Sequence, residues 1–333
     1  MANAPVESPS RSPSKGQQHV PVPLASLRMD TLTNFDLYIK LSADQPYILY
    51  SERNVRFSEE ARRRLIENRV TQVYISANQQ REYGRYVEKH LADILQDASI
   101  PAEQKTEILY TSATGVVEDI LAGAKLEEGV ERTKDVVKHT VAALFGEQFR
   151  LEHLLDIVSF DYHIYTHSVN VAAYSLALAQ RTGYQDAATL RELGHGAMLH
   201  DVGKSRIDHA ITHCPGELTM EQWEILKQHP RLGYEMLGNG PGLGEIALDI
   251  VLHHHEKMDG TGYPDGIERN AISPFARIIT IADIFDALTT TRLFQGAMSS
   301  FDALRLMQTE MTDHLDPQFF RAFVSMMGNV TAG

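Results

Sequence analysis

The sequence predicts a multidomain chain: a small α+β domain, a helical connector, and a larger helical domain in which histidines gather. Three observations carry that expectation. The chain has 333 residues, more than one ordinary core requires, and its 43% hydrophobic content is ample for two. Its periodicity mixes strand and helix patterns up to about residue 100 and reads as helix almost throughout beyond it. Ten of its fifteen histidines lie between His163 and His255, a density that core packing does not require.

Residues 1–20 are rich in Ser, Pro and Gln and poor in large apolar side chains, so disorder is expected there. Residues 21–100 read as the α+β domain, with a regulatory or sensory role. FDLYIKL (35–41), YILY (47–50) and VTQVYI (70–75) have strand character, FSEEARRRLIENR is a helix capped by Ser58, and NQQREYGRYVEKHLADIL is a second helix. Tyr74, Tyr83, Arg85 and Tyr86 are assigned mainly to packing and solvated faces. Residues 101–146 are helical and mixed in charge, with no sustained heptad, and read as a connector able to carry a homodimer contact.

The helical domain spans 147–333. Asp161 caps a helix running to about Arg181, on which His163 and His167 sit one turn apart, a spacing that lets two side chains reach one ion. TLRELGHGAMLHD ends at Val202 or Gly203 and leaves His200 and Asp201 at a helix C-terminus, whose unpaired carbonyls favour a cation; Lys204 follows. Thr219 and Gln222 form a capping box that opens MEQWEILKQH, and Pro230 confines His229 to the end of that helix. In GEIALDIVL, Ile246 and Ile250 lead to His254, and Ala247 and Val251 lead to His255, so both rings continue inward stripes. His253 continues the wet stripe of Glu245 and Asp249. The turn DGTGYP follows, with Gly260 and Gly262 expected to adopt backbone angles closed to other residues. Ser273 and Pro274 start PFARIITIADIFDALTT, which places Asp283 on an apolar face, where an unpaired carboxylate costs several kcal/mol. Helices from about Ser300 and from Asp316-Pro317 close the domain.

A formal charge of −13 argues against tracking along a nucleic-acid polymer but leaves room for a small anion in a locally basic pocket. Cys214 is the sole cysteine, which excludes an intrachain disulfide and fits a reducing cytoplasm. No run approaches the length of a membrane span, and no secretory signal is legible. His167, His200, Asp201, His229, His254, His255 and Asp283 each fall at a helix end or on an inward face. Seven nitrogen and oxygen ligands exceed the four of a single zinc and suit two ions bridged by a carboxylate, with Fe or Mn favoured over a thiolate metal.

LHDVGK (199–204), HPRLG (229–233), HHEKMDGTGYPDG (254–266) and IADIFDALTTTR (281–292) resemble the signature set of the HD-GYP family, and DYHIYTHSVNVA (161–172) is similar to its opening helix. The resemblance covers roughly residues 147–325 and none of 1–146. It implies an all-helical HD-superfamily fold and a metal-dependent phosphodiesterase of bacterial second-messenger signalling, cleaving cyclic di-GMP to pGpG, with onward cleavage to GMP left open. By motif position it makes those seven residues the ligands, with Asp201 bridging two ions whose shared hydroxide attacks phosphorus. Lys204 would stabilise phosphoryl charge, and Lys204, Tyr263 and Arg292 would contact substrate. The sequence departs from the pattern twice. Where the family runs Arg-Pro-Tyr and a cation, this chain has Arg292, Leu293, Phe294 and Gln295, and Gln295 reaches a phosphate without charge. His163 stands where trinuclear members carry a glutamate, so it is read as an optional ligand of a weak third ion. Two other functions stay open: a receptor that binds the dinucleotide without turnover, and a hydrolase of another nucleotide such as cyclic GMP-AMP.

Overall fold

The computed structural model describes residues 18–42, 44–123, 125–144, 164–214, 216–240, 242–290 and 296–330. Asp161, His163, Arg292 and Gln295, like residues 1–17, lie outside the described residues, so the expectations for them do too. The chain divides into two compact units, 1–104 and 105–333.

The first unit contains β1 (His19–Pro23), β2 (Thr31–Thr33), β3 (Leu37–Ile39), β4 (Ile48–Ser51), β5 (Val55–Phe57), α1 (Glu59–Glu67), β6 (Gln72–Ser76) and α2 (Gln80–Gln96). Four strands form an antiparallel sheet in the order β1-β6-β3-β4, with His19 opposite Ser76, and β2 pairs with β5. Strand β1 enters a region expected to be disordered as far as residue 20. Its sequence HVPVP carries two prolines, which reads against a strand, yet β1 lies at the sheet edge, where a missing N–H breaks no ladder. β2 and β5 have three residues each, too few for alternation to show. Ser58 accepts from the Ala61 amide at 3.2 Å and caps α1 as the sequence predicts. Phe35 lies edge-on to Tyr83 and Tyr86, whose hydroxyls bond Ser26 and Thr31 at 2.8 and 2.6 Å, so both tyrosines are packing residues.

The second unit is built from α3 (Ala102–Leu121) onward: α4 (Leu126–Leu144), α5 (Ile164–Arg181), α6 (Ala187–Leu199), α7 (His209–Thr212), α8 (Met220–Leu226), α9 (His229–Gly238), α10 (Glu245–His253), α11 (Pro274–Thr289), α12 (Ser300–Glu310) and α13 (Pro317–Val330). Helix α6 packs between α5 and α10, while α11 lies along α5. Their facing sides are apolar: Val171, Leu178, Leu193, Ala197, Val251 and Ile279 are fully buried. Tyr174, Phe285 and Phe323 pack as an edge-to-face triad with centroids 5.0–5.9 Å apart. Helix α4, read from the sequence as part of a connector, packs on α6.

Helix starts follow their caps. Asp186 caps α6, the Thr219–Gln222 capping box opens α8, and Ser273 accepts from the Ala276 amide at the head of α11. Two helix boundaries differ: α6 ends at Leu199 rather than at Val202 or Gly203, where the chain tightens into a 3-10 turn over Val202–Arg206. Helix α8 ends at Leu226, and His229 is the first residue of α9 rather than the last of α8. Pro230 is tolerated there because the first helical turn has no use for its N–H.

Candidate metal centre

Five segments deliver the seven predicted side chains to one place. His167 comes from α5, His200 and Asp201 follow the end of α6, His229 begins α9, His254 and His255 follow α10, and Asp283 lies in α11. All but His255 are buried, and His255 is half-buried. The ligand atoms gather as two sets, Asp201 with His229, His254 and His255, and His167 with His200 and Asp283, each set within 4.8 Å. Asp201 faces both. Its Oδ1 lies 3.3 Å from His229 Nε2 and 4.0 Å from His254 Nε2, while Oδ2 lies 3.5 Å from His200 Nε2 and 3.9 Å from His167 Nε2. Asp283 also reaches both sets, with Oδ1 3.1 Å from His167 Nε2 and Oδ2 3.7 Å from His255 Nδ1.

The helix ends explain which nitrogens point inward. The last carbonyls of a helix have no intrahelical partner. Three of the predicted ligand histidines use them: Nδ1 of His200, His229 and His254 lies 2.7, 2.8 and 3.0 Å from the carbonyls of Ala197, Leu226 and Val251, in each case three residues earlier. His167 sits inside its helix and turns instead to Asp286, 2.7 Å from Nδ1. Each Nδ1 therefore carries the proton, and each Nε2 presents a lone pair to the centre.

These inward nitrogens crowd against one another and against the two carboxylates. His229 Nε2 and His254 Nε2 stand 3.2 Å apart, and the buried His200 Nε2 and Asp201 Oδ1 have no hydrogen-bond partner. The charges agree with this reading. Burial drives His254 well below the usual imidazole range, helped by His255, and pushes His255 down to about 3 and His229 down as well. These rings are neutral at pH 7 and able to ligate. Burial would raise the Asp201 carboxyl, but Lys204 and His200 outweigh it and hold it well below the usual carboxylate range. Asp283 is likewise raised by burial and lowered further by His167 and His255. A neutral-imidazole and carboxylate donor set with orphaned inward atoms fits divalent cations.

Residues 151–319 match the HD domain family. The chain belongs to that family. Its motifs, HD at 200–201 and GYP at 262–264, place it in the HD-GYP branch. It is 33% identical over 228 residues to the cyclic di-GMP phosphodiesterase PA4108 of Pseudomonas aeruginosa, covering 68% of this chain and 55% of that protein. It is 30% identical over 216 residues to the cyclic di-GMP phosphodiesterase response regulator RpfG of Xanthomonas campestris, covering 65% and 53%. A 3'3'-cGAMP-specific phosphodiesterase of Vibrio cholerae is 37% identical over 156 residues, 47% of this chain and 34% of that one. The chain spans about half the length of the first two. Among solved structures, Bd1817, an HDG"Y"P protein from Bdellovibrio bacteriovorus, shares the fold with a TM-score of 0.65 at 22% identity, covering 93% of this chain and 100% of that one.

In this HD-GYP chain two glycines draw separate segments onto the centre. A Cβ on Gly203 would collide with the His229 carbonyl and lie 2.6 Å from the Gly233 amide, so the HD turn rests directly on the head of α9. A Cβ on Gly262 would lie 2.5 Å from Glu256 Cα and Lys257 N, so the GYP turn folds back on the residues that follow the histidine pair. Gly262 is thus required for close approach. Only Gly260, with φ of +77°, has the backbone angle expected of both. Glu256, fully buried, ties the same turn through the Asp265 and Gly266 amides at 2.7 and 3.0 Å. The turn sets the Tyr263 ring against His255, centroids 4.7 Å apart, and burial raises the phenol above its ordinary range, so it stays a neutral donor. Lys204 donates to Asp201 Oδ2 at 2.6 Å.

Three residues that hydrogen-bond around the cluster escape the sequence reading: Asp286, Asn170 and Glu256. Asp286 had a signal, since a second carboxylate one turn after Asp283 on a buried helix needs a partner. Asn170 sits three residues after His167 on α5, and polar identity alone does not mark it. Glu256 follows the histidine pair with no spacing to separate it from a solvated charge.

Proposed function

We propose that this chain hydrolyses cyclic di-GMP to pGpG with two divalent cations, Fe or Mn, in the cytoplasm. The observation that carries the reading is the pair of lone-pair clusters that share Asp201. Its two oxygens turn to different histidine pairs, which supports a bridging role. His229, His254 and His255 would hold one ion, and His167, His200 and Asp283 the other. When bound, such ions neutralise the diester's charge and activate water as the nucleophile.

The chain's own residues supply orientation and charge. Three backbone carbonyls and Asp286 keep Nε2 of His200, His229, His254 and His167 unprotonated toward the centre, so those four need expel no proton before an ion enters. Lys204, partly exposed beside Asp201, brings a positive charge to the place where phosphoryl oxygens would gather. Tyr263 offers its phenol as a donor at the rim. Arg292 and Gln295 extend the proposed substrate contacts. Hydrolysis adds water across one P–O3′ bond: the oxygen joins phosphorus, and the departing 3′ oxygen takes up a proton. His163 is proposed as the ligand of an optional, weaker third ion.

A second reading, cyclic GMP-AMP as substrate, draws on the likeness to the cGAMP-specific enzyme of Vibrio cholerae. The test is purified full-length chain loaded with Mn²⁺ or Fe²⁺ and given each cyclic dinucleotide, with products followed by chromatography. Cyclic di-GMP converting to pGpG is the expected result. Faster turnover of cyclic GMP-AMP would favour the second reading, and tight binding with no product would make the chain a receptor.

A further inference from the structure

We propose that Tyr110, on α3, is a positioning residue of the metal centre, acting through a buried relay that ends on His167. The inference rests on the metal-site reading above. Tyr110 donates its hydroxyl to Asn170 Oδ1 at 2.7 Å, and Asn170 Nδ2 donates to Asp286 Oδ1 at 2.8 Å. Asp286 Oδ2 accepts from His167 Nδ1 at 2.7 Å, and His167 Nε2 faces Asp283 and Asp201 in the centre. Asn170 and Asp286 are fully buried, and His167 is 2% exposed.

The direction of each bond is dictated by its neighbour. Asp286 only accepts, so Asn170 must turn its amide nitrogen toward it, which leaves the amide oxygen facing Tyr110. An oxygen there needs a donor, and the tyrosine hydroxyl is one. Asp286 consequently holds two donors, one on each oxygen, and its charge favours the proton on His167 Nδ1 and the lone pair on Nε2. The relay therefore does for His167 what free helix-end carbonyls do for His200, His229 and His254. It differs in its reach, because it hands the orientation of one metal ligand to α3, a helix that contributes no ligand itself. Loss of the hydroxyl removes one of the bonds that fix the Asn170 amide, and the loosening passes through Asp286 to the His167 ring.

The test is Mn²⁺ affinity of the full-length protein, measured by competition with a chromophoric chelator, alongside thermal melting of the metal-free protein. Partners that orient ligands typically change metal affinity about 10- to 100-fold when removed. Tyr110→Phe, two bonds further out, should weaken Mn²⁺ binding about three- to tenfold with little change in metal-free melting, and Asn170→Ala should weaken it more. Because the two act in series, Tyr110→Phe should add nothing in the Asn170→Ala background. Leu109→Ala, a buried neighbour on α3, should do the reverse, lowering the melting temperature without altering Mn²⁺ affinity. Wild-type affinity in Tyr110→Phe, or a full additive loss in the double variant, would overturn the proposal while leaving the metal site standing. A wild-type chain that binds no Mn²⁺ would overturn the site itself.

Discussion

Asp201 is fully buried, and its two oxygens face different imidazole pairs. An amide at that position keeps the shape but loses the charge and one acceptor. Asp201→Asn should therefore cut hydrolysis by about a thousandfold and lower the metal content, with circular dichroism unchanged; full metal loading with near wild-type activity would refute the bridging role. His195, one turn before the centre on α6, makes a different prediction. Burial, with Lys134 and Arg191 nearby, lowers it from 6.5 to about 4, and its Nε2 is buried without a hydrogen-bond partner. The folded state binds the proton more weakly than the unfolded chain, so the stability from a neutral His195 is complete above pH 6.5 and is lost as the pH falls toward 4. At one pKa unit per 1.36 kcal/mol the loss amounts to about 3 kcal/mol at most. Urea titrations at pH 7, 5.5 and 4.5 should show His195→Gln gaining stability relative to wild type as the pH drops. A constant difference would place the ring in water.

Helix ends orient three of the predicted ligand histidines. Helices α6, α8 and α10 each stop with a carbonyl that a ligand histidine satisfies, so the same break that ends the helix orients the ring. The glycines then bring those ends together. Gly203→Ala must push the HD turn away from His229 and separate two ligands, so metal content should fall below half and melting should drop by several degrees. Gly260→Ala, strained only by its positive φ, should cost about 1 kcal/mol and keep the metal. Parallel melting and metal analysis of the two variants would separate close approach from backbone strain. Equal metal loss in both would mean the GYP turn is as tightly coupled to the ligands as the HD turn.

At the scale of the whole molecule, two inward-facing clusters predict about two tightly held ions per chain after dialysis. Chelation should lower the melting temperature reversibly, since a ligand at 100 times its Kd stabilises by about 2.7 kcal/mol per site. His163→Ala should retain both ions. Elemental analysis finding a third ion that survives dialysis and vanishes in that variant would raise the count. Among the described residues no helix is long and apolar enough to cross a membrane.

The sequence alone selected the seven side chains that the structure gathers into one buried cluster, because helical periodicity and caps are local. Stripes in GEIALDIVL pick out His254, and Ser273-Pro274 sets the phase that buries Asp283, while the helix expected to end at Val202 or Gly203 put His200 and Asp201 at its C-terminus although it stops at Leu199. It determined most of the helices for the same reason. What it missed needs partners distant in the chain. Edge strand β1 holds its prolines because of where it sits in the sheet, His229 opens a helix rather than closing one, and Gly262 is required by a backbone that approaches it from six residues away. Only the tertiary structure decided that Asp201 turns its oxygens to separate histidine pairs, and that Tyr110, Asn170 and Asp286 line up behind His167. Those hydrogen bonds join residues 60 to 119 positions apart, and no periodicity along the chain encodes a contact across that separation.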